Sequence, residues 1–385
     1  MVITKDLEYV GVEDTKIDLF EGQYPVPHGI TYNSYIIKDK EIAVMDSVDS
    51  KFADVWLNGI IQMMHGKSPS YIVVQHMEPD HSAGVEMFLH NFPDAKLVAT
   101  SQAVRMAENL FHEDFSGRTV KVKDGDKLVL GRHTLHFIGA PMVHWPEVIM
   151  TYDDYDNTLF SADAFGKFGP FMGDEVWTNE ARRYYYGIVG KFGIPVQALL
   201  KKITRYPIAM ICPLHGPIIK DTVDYCIDLY RKWSRYTPER DGVTIVYASV
   251  YGNMREAAEE LARQLERKGQ RNVVIYDILR TDPTMVLAEA FRFSKLVLCS
   301  PTINADVFPA LKTFITSLTD HNFQNRFVAF MECGMWSPCS GKCMADLLRG
   351  CKGVKFDDTR IRFLGRPDEE AYNQIALLAS EIAGK

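Results

Sequence analysis

The sequence predicts two α/β domains in one chain, the first a two-sheet sandwich with outer helices and the second a doubly wound parallel sheet. Three observations lead there. The chain has 385 residues, too many for one typical domain and comfortable for two. Roughly its first 230 residues mix short apolar runs with helical stretches and polar turns. Its last 145 or so residues change to a regular alternation of apolar runs and amphipathic segments, the pattern of a parallel sheet with crossover helices.

In the first part, YIVVQ (71–75), KLVAT (96–100), KLVLG (127–131), TLHFIGA (134–140), TLFSA (158–162) and IAMICPL (208–214) are predicted strands. ADVWLNGIIQMMHG and QAVRMAENLF are predicted helices between them. The polar stretch WSRYTPERDG (233–242), with its Pro and closing Gly, is the expected linker. This puts the domains at 1–240 and 241–385. Beyond the linker, VTIVYAS, NVVIYDI, KLVLCSP, RFVAFMEC and VKFDDTRIRFLG are five expected strands, and DEEAYNQIALLASEIAG is a closing helix. No internal repeat or low-complexity segment interrupts either half.

Composition removes several classes. Apolar residues make up 46% and charged residues 24%, an ordinary globular balance. A net charge of −7 gives a nucleic-acid partner no electrostatic footprint. No run of 18 uncharged apolar residues exists, so no membrane span is expected. The first residues, MVITKDLEYVGVED, lack the apolar segment of a secretory signal, so a cytoplasmic location is expected. The seven cysteines are odd in number, and a disulfide framework is not expected at this size. Four of them, Cys333, Cys339, Cys343 and Cys351, lack the close C-x2-C pairs of zinc ribbons and are expected to be buried free thiols.

The chemistry concentrates in YIVVQHMEPDHSAG. His76, Glu78, Asp80 and His81 put four potential metal ligands into six residues directly after a strand. Three more candidates also follow apolar strands: His144 in APMVHWPE, Asp163 in LFSADAFG and His215 in CPLHGPI. Alone, each would be an ordinary hydrogen-bonded histidine or a helix-capping aspartate. Together, four histidines and three carboxylates at converging strand ends point to a pair of metal ions. His65, His90, His112, His133 and His136 have no such company and are expected to be structural.

This cluster resembles the H-x-[HE]-x-D-H signature of the metallo-β-lactamase superfamily, with His144, Asp163 and His215 matching its later positions. Hydrolases of that fold usually carry His where this chain has Glu78. A carboxylate makes the set harder and more anionic, which suits iron better than zinc. Flavodiiron proteins share this Glu, and the whole chain resembles them. The resemblance implies an N-terminal metallo-β-lactamase-like αββα sandwich and a C-terminal flavodoxin-like doubly wound sheet. It also implies that one iron takes His76, Glu78 and His144, that the other takes Asp80, His81 and His215, and that Asp163 bridges them. The family's HG-x-TYNSY element appears as residues 28–35, so His28 and Tyr32 are implied near the metals with a catalytic role.

A second constellation follows the linker. VTIVYASVYGNMREAAEELARQL is a strand, a short loop and an amphipathic helix, and the helix N-terminus suits a phosphate. Neither G-x-G-x-x-G nor a Walker ending is present. The loop Ser249, Val250, Tyr251, Gly252, Asn253, Met254 resembles the flavodoxin phosphate loop, departing at Tyr251 and Met254. Two further loops, with Pro301, Thr302, Ile303 and Asn304, and with Gly334, Met335, Trp336 and Ser337, follow the third and fourth strands. Three loops at three strand ends imply FMN, with Trp336 placed to stack on its ring.

The combined resemblance implies an oxidoreductase. Electrons enter at FMN and leave at a non-haem diiron site, reducing dioxygen to water or nitric oxide to nitrous oxide. The chain carries no rubredoxin-like pair of C-x2-C motifs, so the donor is expected to be a separate molecule, a rubredoxin or a reduced deazaflavin in this family. A head-to-tail homodimer, possibly a tetramer, is implied as well. Two other classes remain: a zinc-dependent hydrolase with a fused flavodoxin-like electron-transfer module, and a flavodoxin attached to a non-catalytic metal scaffold. Zinc in the purified protein would mark the first, and metals that never turn over would mark the second.

Overall fold

A computed structural model describes residues 1–170 and 177–384. The chain divides into two compact units, Met1–Arg231 and Lys232–Lys385.

The first unit is built on two sheets. One has six strands in the order Leu7–Tyr9, Tyr35–Lys38, Ile42–Met45, Tyr71–Val73, Lys96–Ala99, Thr119–Lys121. Its first two pairings are antiparallel and the rest parallel. The other has five strands in the order Lys127–Val129, Thr134–Gly139, Ile149–Asp153, Thr158–Phe160, Met210–Cys212, antiparallel except for the last pair. Side chains alternate between faces along each strand. Tyr35, Ile37, Ala43, Met45, Val73 and Val98 therefore point to the second sheet, where Leu135, Phe137, Ile149, Phe160 and Cys212 meet them in one buried cluster. Their neighbours Ile36, Val44, Ile72 and Leu97 point the other way, into a core shared with Trp56, Leu57 and Ile60 of helix Ala53–Met64 and Val104 and Ala107 of helix Ser101–Phe111. The latter helix starts where the Thr100 side chain accepts from Ala103 N at 3.1 Å, a cap worth about 1 kcal/mol. The result is the expected metallo-β-lactamase-like sandwich.

The second unit has a parallel sheet in the order Val273–Asp277, Arg240–Tyr247, Phe293–Ile303, Phe327–Gly334, Lys355–Leu364. Numbered along the chain this is 2-1-3-4-5, the flavodoxin-like order, with its switch point between the first and third strands. Helices Asn253–Arg267 and Glu369–Ala383 cover one face, burying Leu261, Leu265, Ile375, Leu378 and Ile382 against Val243, Ile245, Val297 and Ala329.

Two expectations change. The stretch 233–242 is mostly structured: helix Val223–Ser234 runs into it, strand Arg240–Tyr247 starts inside it, and only 235–239 lie between. Trp233 is buried and its indole N–H donates to Glu239 Oε1 at 2.6 Å, while the buried Arg326 guanidinium donates to Tyr236 O. Polar composition suggested a linker, but these residues spend their polarity on hydrogen bonds within the second unit. Second, Leu7–Tyr9, Tyr35–Lys38, Ile42–Met45 and Ile149–Asp153 are strands beyond those expected. At three to five residues they are too short for periodicity to announce them.

Candidate metal centre

The loops at one end of the two sheets bring all seven predicted metal-ligand candidates together. His76 leaves strand Tyr71–Val73, and Glu78 stands before the short helix Pro79–Ser82, with an extended backbone and Pro79 in the first turn. The turn matters because Asp80 and His81 then occupy successive helical positions, while Glu78 caps the helix and His76 precedes it. Ser82 Oγ closes the loop on Met77 O and Glu78 O, both at 3.0 Å. Asp163 sits in a tight turn after strand Thr158–Phe160, with Ala162 and Phe165 at φ 49° and 66°. Such left-handed non-glycine residues concentrate at functional sites. Ser161 Oγ donates to Ala164 O at 2.7 Å and Phe165 N to Tyr230 Oη at 2.6 Å, which hold that turn.

Two donor sets result. In the first, His76 Nε2, His144 Nε2, Glu78 Oε2 and Asp163 Oδ2 converge. His76 lies 3.1 Å from Glu78, 3.2 Å from His144 and 3.4 Å from Asp163, while His144 lies 3.1 Å from Glu78 and 2.9 Å from Asp163. In the second, His81 Nε2 lies 3.3 Å from Asp80 Oδ2, 3.0 Å from His215 Nε2 and 3.2 Å from Asp163 Oδ1. His215 Nε2 lies 3.4 Å from Asp80 Oδ2 and 3.8 Å from Asp163 Oδ1. The two oxygens of Asp163 thus serve different sets.

These separations fit metal ions. Ligands about 2.1 Å from an ion stand about 3.0 Å apart at octahedral edges and about 3.4 Å apart at tetrahedral edges. Two imidazole Nε2 atoms facing each other within 3.0 Å, and again within 3.2 Å, leave at most one proton per pair. Both oxygens of Asp80 and Oδ1 of Asp163 are buried without a hydrogen bond. Buried carboxylate oxygens of that kind need a cation.

Electrostatics agree. Burial works against the charge on Glu78, yet the His144 and His76 imidazoles beside it hold its carboxyl at about 2. Asp163 is likewise held well below the carboxylate range by His76 and His81, against its burial. Burial opposes a charged His144, but Asp163 and Glu78 lift it to about 9. Glu78, Asp163 and His144 therefore stabilise one another as alternating charges, where a pair of metal ions would sit.

The supporting shell was invisible in the sequence. His76 Nδ1 meets Glu147 Oε1 at 2.7 Å, and the same oxygen accepts from Met77 N at 2.9 Å. His215 Nδ1 donates to the carbonyl of Thr31 at 2.6 Å. Buried Asp46 accepts from Gln75 N and Gln75 Nε2, each at 2.7 Å. The TYNSY element is largely scaffold: Thr31 Oγ1 accepts from Gly216 N at 2.6 Å, Asn33 Nδ2 donates to Pro213 O and Gly216 O at 2.8 and 2.9 Å, and Tyr35 Oη donates to Pro213 O at 2.8 Å. Together these bonds fix the loop that carries His215. Tyr32 is buried with its ring 6.0 Å from that of His215, in a wall shared with Phe20 at 5.3 Å and Tyr184 at 5.6 Å. His28 is exposed and stands outside both donor sets. The remaining histidines are also elsewhere: His133, for one, pairs with Asp153 at 2.7 Å.

In the second unit, a cavity of about 310 Å³ opens at the carboxyl ends of the strands, beside the switch point. Ser249, Val250, Tyr251, Asn253, Met254, Pro301, Thr302, Ile303, Gly334, Met335 and Trp336 line it, joined by Cys333 and Gly365, which the sequence did not single out. Gly252, Asn304 and Ser337 do not line it. Gly252 instead caps helix Asn253–Arg267 at φ 92°, a conformation that favours glycine. Thr302 Oγ1 accepts from the N–H groups of Cys339 and Ser340 at 2.9 and 3.1 Å, tying two of the three loops together. All seven cysteines are free, but of the 333–351 group only Cys333 is buried, and Cys339, Cys343 and Cys351 are half-buried on the loop and helix that follow it, against the expectation.

Comparison with known proteins follows the same outline. Residues 30–216 match the model of the ODP family β-lactamase. The chain is 28% identical over 396 residues to an anaerobic nitric oxide reductase flavorubredoxin of Escherichia coli, covering all of this chain and 82% of the relative. An uncharacterised protein of Methanocaldococcus jannaschii is 28% identical over 376 residues, 96% of this chain and 94% of that one. Among solved structures, the flavodiiron protein from Giardia intestinalis matches with a TM-score of 0.91 at 26% identity, over 99% of this chain and 96% of that one. The rubredoxin oxygen:oxidoreductase of the anaerobe Desulfovibrio gigas matches with a TM-score of 0.92 at 24% identity, over 100% and 98%. Among the described residues, no helix is long and apolar enough to cross a membrane.

Proposed function

We propose that the chain, an oxidoreductase similar throughout its length to flavodiiron proteins, reduces dioxygen to water, nitric oxide to nitrous oxide, or both, at a non-haem diiron centre fed through FMN. The observation that carries this reading is the pair of buried donor sets sharing Asp163, with Glu78 where hydrolases of the fold place an imidazole. His76, Glu78 and His144 would hold one iron, and Asp80, His81 and His215 the other, with one Asp163 oxygen to each. The cavity at Ser249, Thr302 and Trp336 would hold FMN. When bound, the irons would supply a redox pair and FMN would supply electrons one at a time.

The chain's own residues orient and shield. Three carboxylates offset most of the charge of two ferrous ions and favour the ferric state more. Hydrogen bonds at His76 Nδ1 and His215 Nδ1 fix the tautomer that turns Nε2 inward. The walls of Phe20, Tyr32 and Tyr184 keep water sparse beside His215. Tyr32, in that wall, and His28, exposed outside both donor sets, would be the residues that handle protons. Val250, Tyr251, Met335, Trp336 and Leu364 are exposed around the cavity. This apolar rim suits a covering surface, which a second copy in a head-to-tail dimer would supply. The donor would be a rubredoxin or a reduced deazaflavin.

Protein from iron-supplemented cells should contain about two irons and one FMN per chain and, given a reduced donor, should consume dioxygen, or nitric oxide under anaerobic conditions. Two zincs per chain with hydrolase activity would instead support the fused hydrolase. Glu78→His should move the metal preference toward zinc, because imidazole is the softer ligand.

A further inference from the structure

The imidazoles of the centre face the metals alike but are supported differently from behind. His76 Nδ1 rests on a carboxylate, Glu147 Oε1 at 2.7 Å, and both side chains are fully buried. His215 Nδ1 rests on a neutral peptide carbonyl, Thr31 O, at 2.6 Å. His81 Nδ1 is buried with no hydrogen-bond partner. A carboxylate behind an imidazole draws the Nδ1 proton toward itself and leaves Nε2 more basic, whereas a carbonyl does so weakly. Besides His76, Glu147 Oε1 accepts only the neutral Met77 N–H at 2.9 Å, and among the described residues the other Glu147 oxygen has no hydrogen-bond partner, so His76 is the one imidazole that this carboxylate hydrogen-bonds. The Glu147 backbone is independently anchored, since its carbonyl accepts from Thr100 Oγ1 at 3.1 Å.

We propose that the two metal positions are chemically unequal, and that Glu147 is the positioning residue that makes the His76–Glu78–His144 position the tighter and more readily oxidised of the two. Each position receives one full carboxylate and half of Asp163, so the directly bound charge is balanced. The difference lies behind the ligands. A carboxylate hydrogen-bonded to His76 stabilises the higher oxidation state of the ion that His76 would hold, while among the described residues no carboxylate hydrogen-bonds Nδ1 of His81 or His215. The more labile, more easily reduced metal is therefore the one held by Asp80, His81 and His215.

This rests on the diiron reading, and the experiment separates the two. Iron-loaded protein is challenged with excess chelator, release is followed in time, and the 57Fe-loaded protein is examined by Mössbauer spectroscopy. Wild-type protein should release its iron in two phases of equal amplitude and give two distinct quadrupole doublets. Glu147→Gln keeps the size and the acceptor oxygen but removes the charge. It should speed the slow phase about 10- to 100-fold, leave the fast phase alone and draw the two doublets together. Glu147→Asp restores the charge and should restore much of the slow phase. Single-phase release from the wild type, or equal acceleration of both phases in Glu147→Gln, would overturn the assignment. Should Glu147→Gln fail to fold, wild-type release and Glu147→Asp still decide it. Failure of the wild type to bind two irons would sink the diiron reading instead.

Discussion

The candidate metal centre lies at the ends of two mixed sheets and the proposed flavin cavity at the end of a parallel one, and the two are made from different parts of the chain. The centre is a set of buried side chains, with His76, His81, His215 and Asp163 almost wholly enclosed. The cavity is a set of loops whose side chains are often exposed, Tyr251 and Trp336 above all, at 90% and 79%. A cation needs ligand atoms of definite type, so each position tolerates few residues. A phosphate and a flat ring are met largely by main-chain N–H groups and surface contact, which many residues can supply. This is why Tyr251 and Met254 can depart from the flavodoxin pattern while the ligand pattern keeps all seven positions.

The contrast breaks most easily at Asp163. Asp163→Ala should weaken both metals together by more than about 100-fold, since even the outer partners of metal ligands are worth about 10- to 100-fold. Metal titration that showed one position intact would remove Asp163 as the shared ligand. Asp163→Asn, which keeps the shape and removes the charge, should fall between.

Whether the two sites of one chain or of two chains cooperate can be read by mixing inactive variants. One lacks metal ligands, as Asp80→Ala with His81→Ala, and the other has the loop from Ser249 to Asn253 disrupted. Neither alone should turn over. After subunit exchange, half of the dimers are mixed and each contains one productive pair, so about a quarter of wild-type turnover should return. No recovery once exchange is verified would mean that electrons stay within a chain.

At the cavity the expected effects are smaller. Trp336→Ala should weaken FMN binding about 3- to 10-fold, the worth of one aromatic contact. Ser249→Ala should cost less, because the Ser249 hydroxyl already accepts from Arg255 N at 3.2 Å and the main chain remains. A loss of more than about 100-fold from Ser249→Ala would show that side chains, not backbone, hold the flavin, contrary to the contrast drawn above.

The smallest expected effect is a control at a buried histidine away from the centre. Burial disfavours a charged His133, but Asp153 at 2.7 Å, helped by Asp156 and Asp39, raises its pKa above the usual value. A raised folded pKa means that the stabilisation is complete below the unfolded value of about 6.5 and fades as pH climbs through the folded value. The difference in Tm between wild type and His133→Gln should therefore shrink on going from pH 6 to alkaline pH. A difference that grows with pH would contradict this pairing.

The amino-acid sequence alone determined the ligand types and their attachment to strand ends, because a cluster such as H-x-E-x-D-H has few other uses and follows an apolar run that any sheet would bury. It likewise determined the parallel second sheet, whose five runs are long enough for periodicity to speak. The three-residue strand Leu7–Tyr9 and the exact extent of 233–242 were out of reach, since a short strand takes its stability from its neighbours and a polar segment from bonds to residues far away, such as Arg326 to Tyr236. Glu147 had no local signature at all, and Thr31, although inside the HG-x-TYNSY element, gave no sign of what its carbonyl supports. Their meaning depends on a distance of 2.7 Å across 71 residues and one of 2.6 Å across 184. Such contacts exist only once the chain has folded, and so the support behind each ligand, unlike the ligand itself, was decided by the tertiary structure.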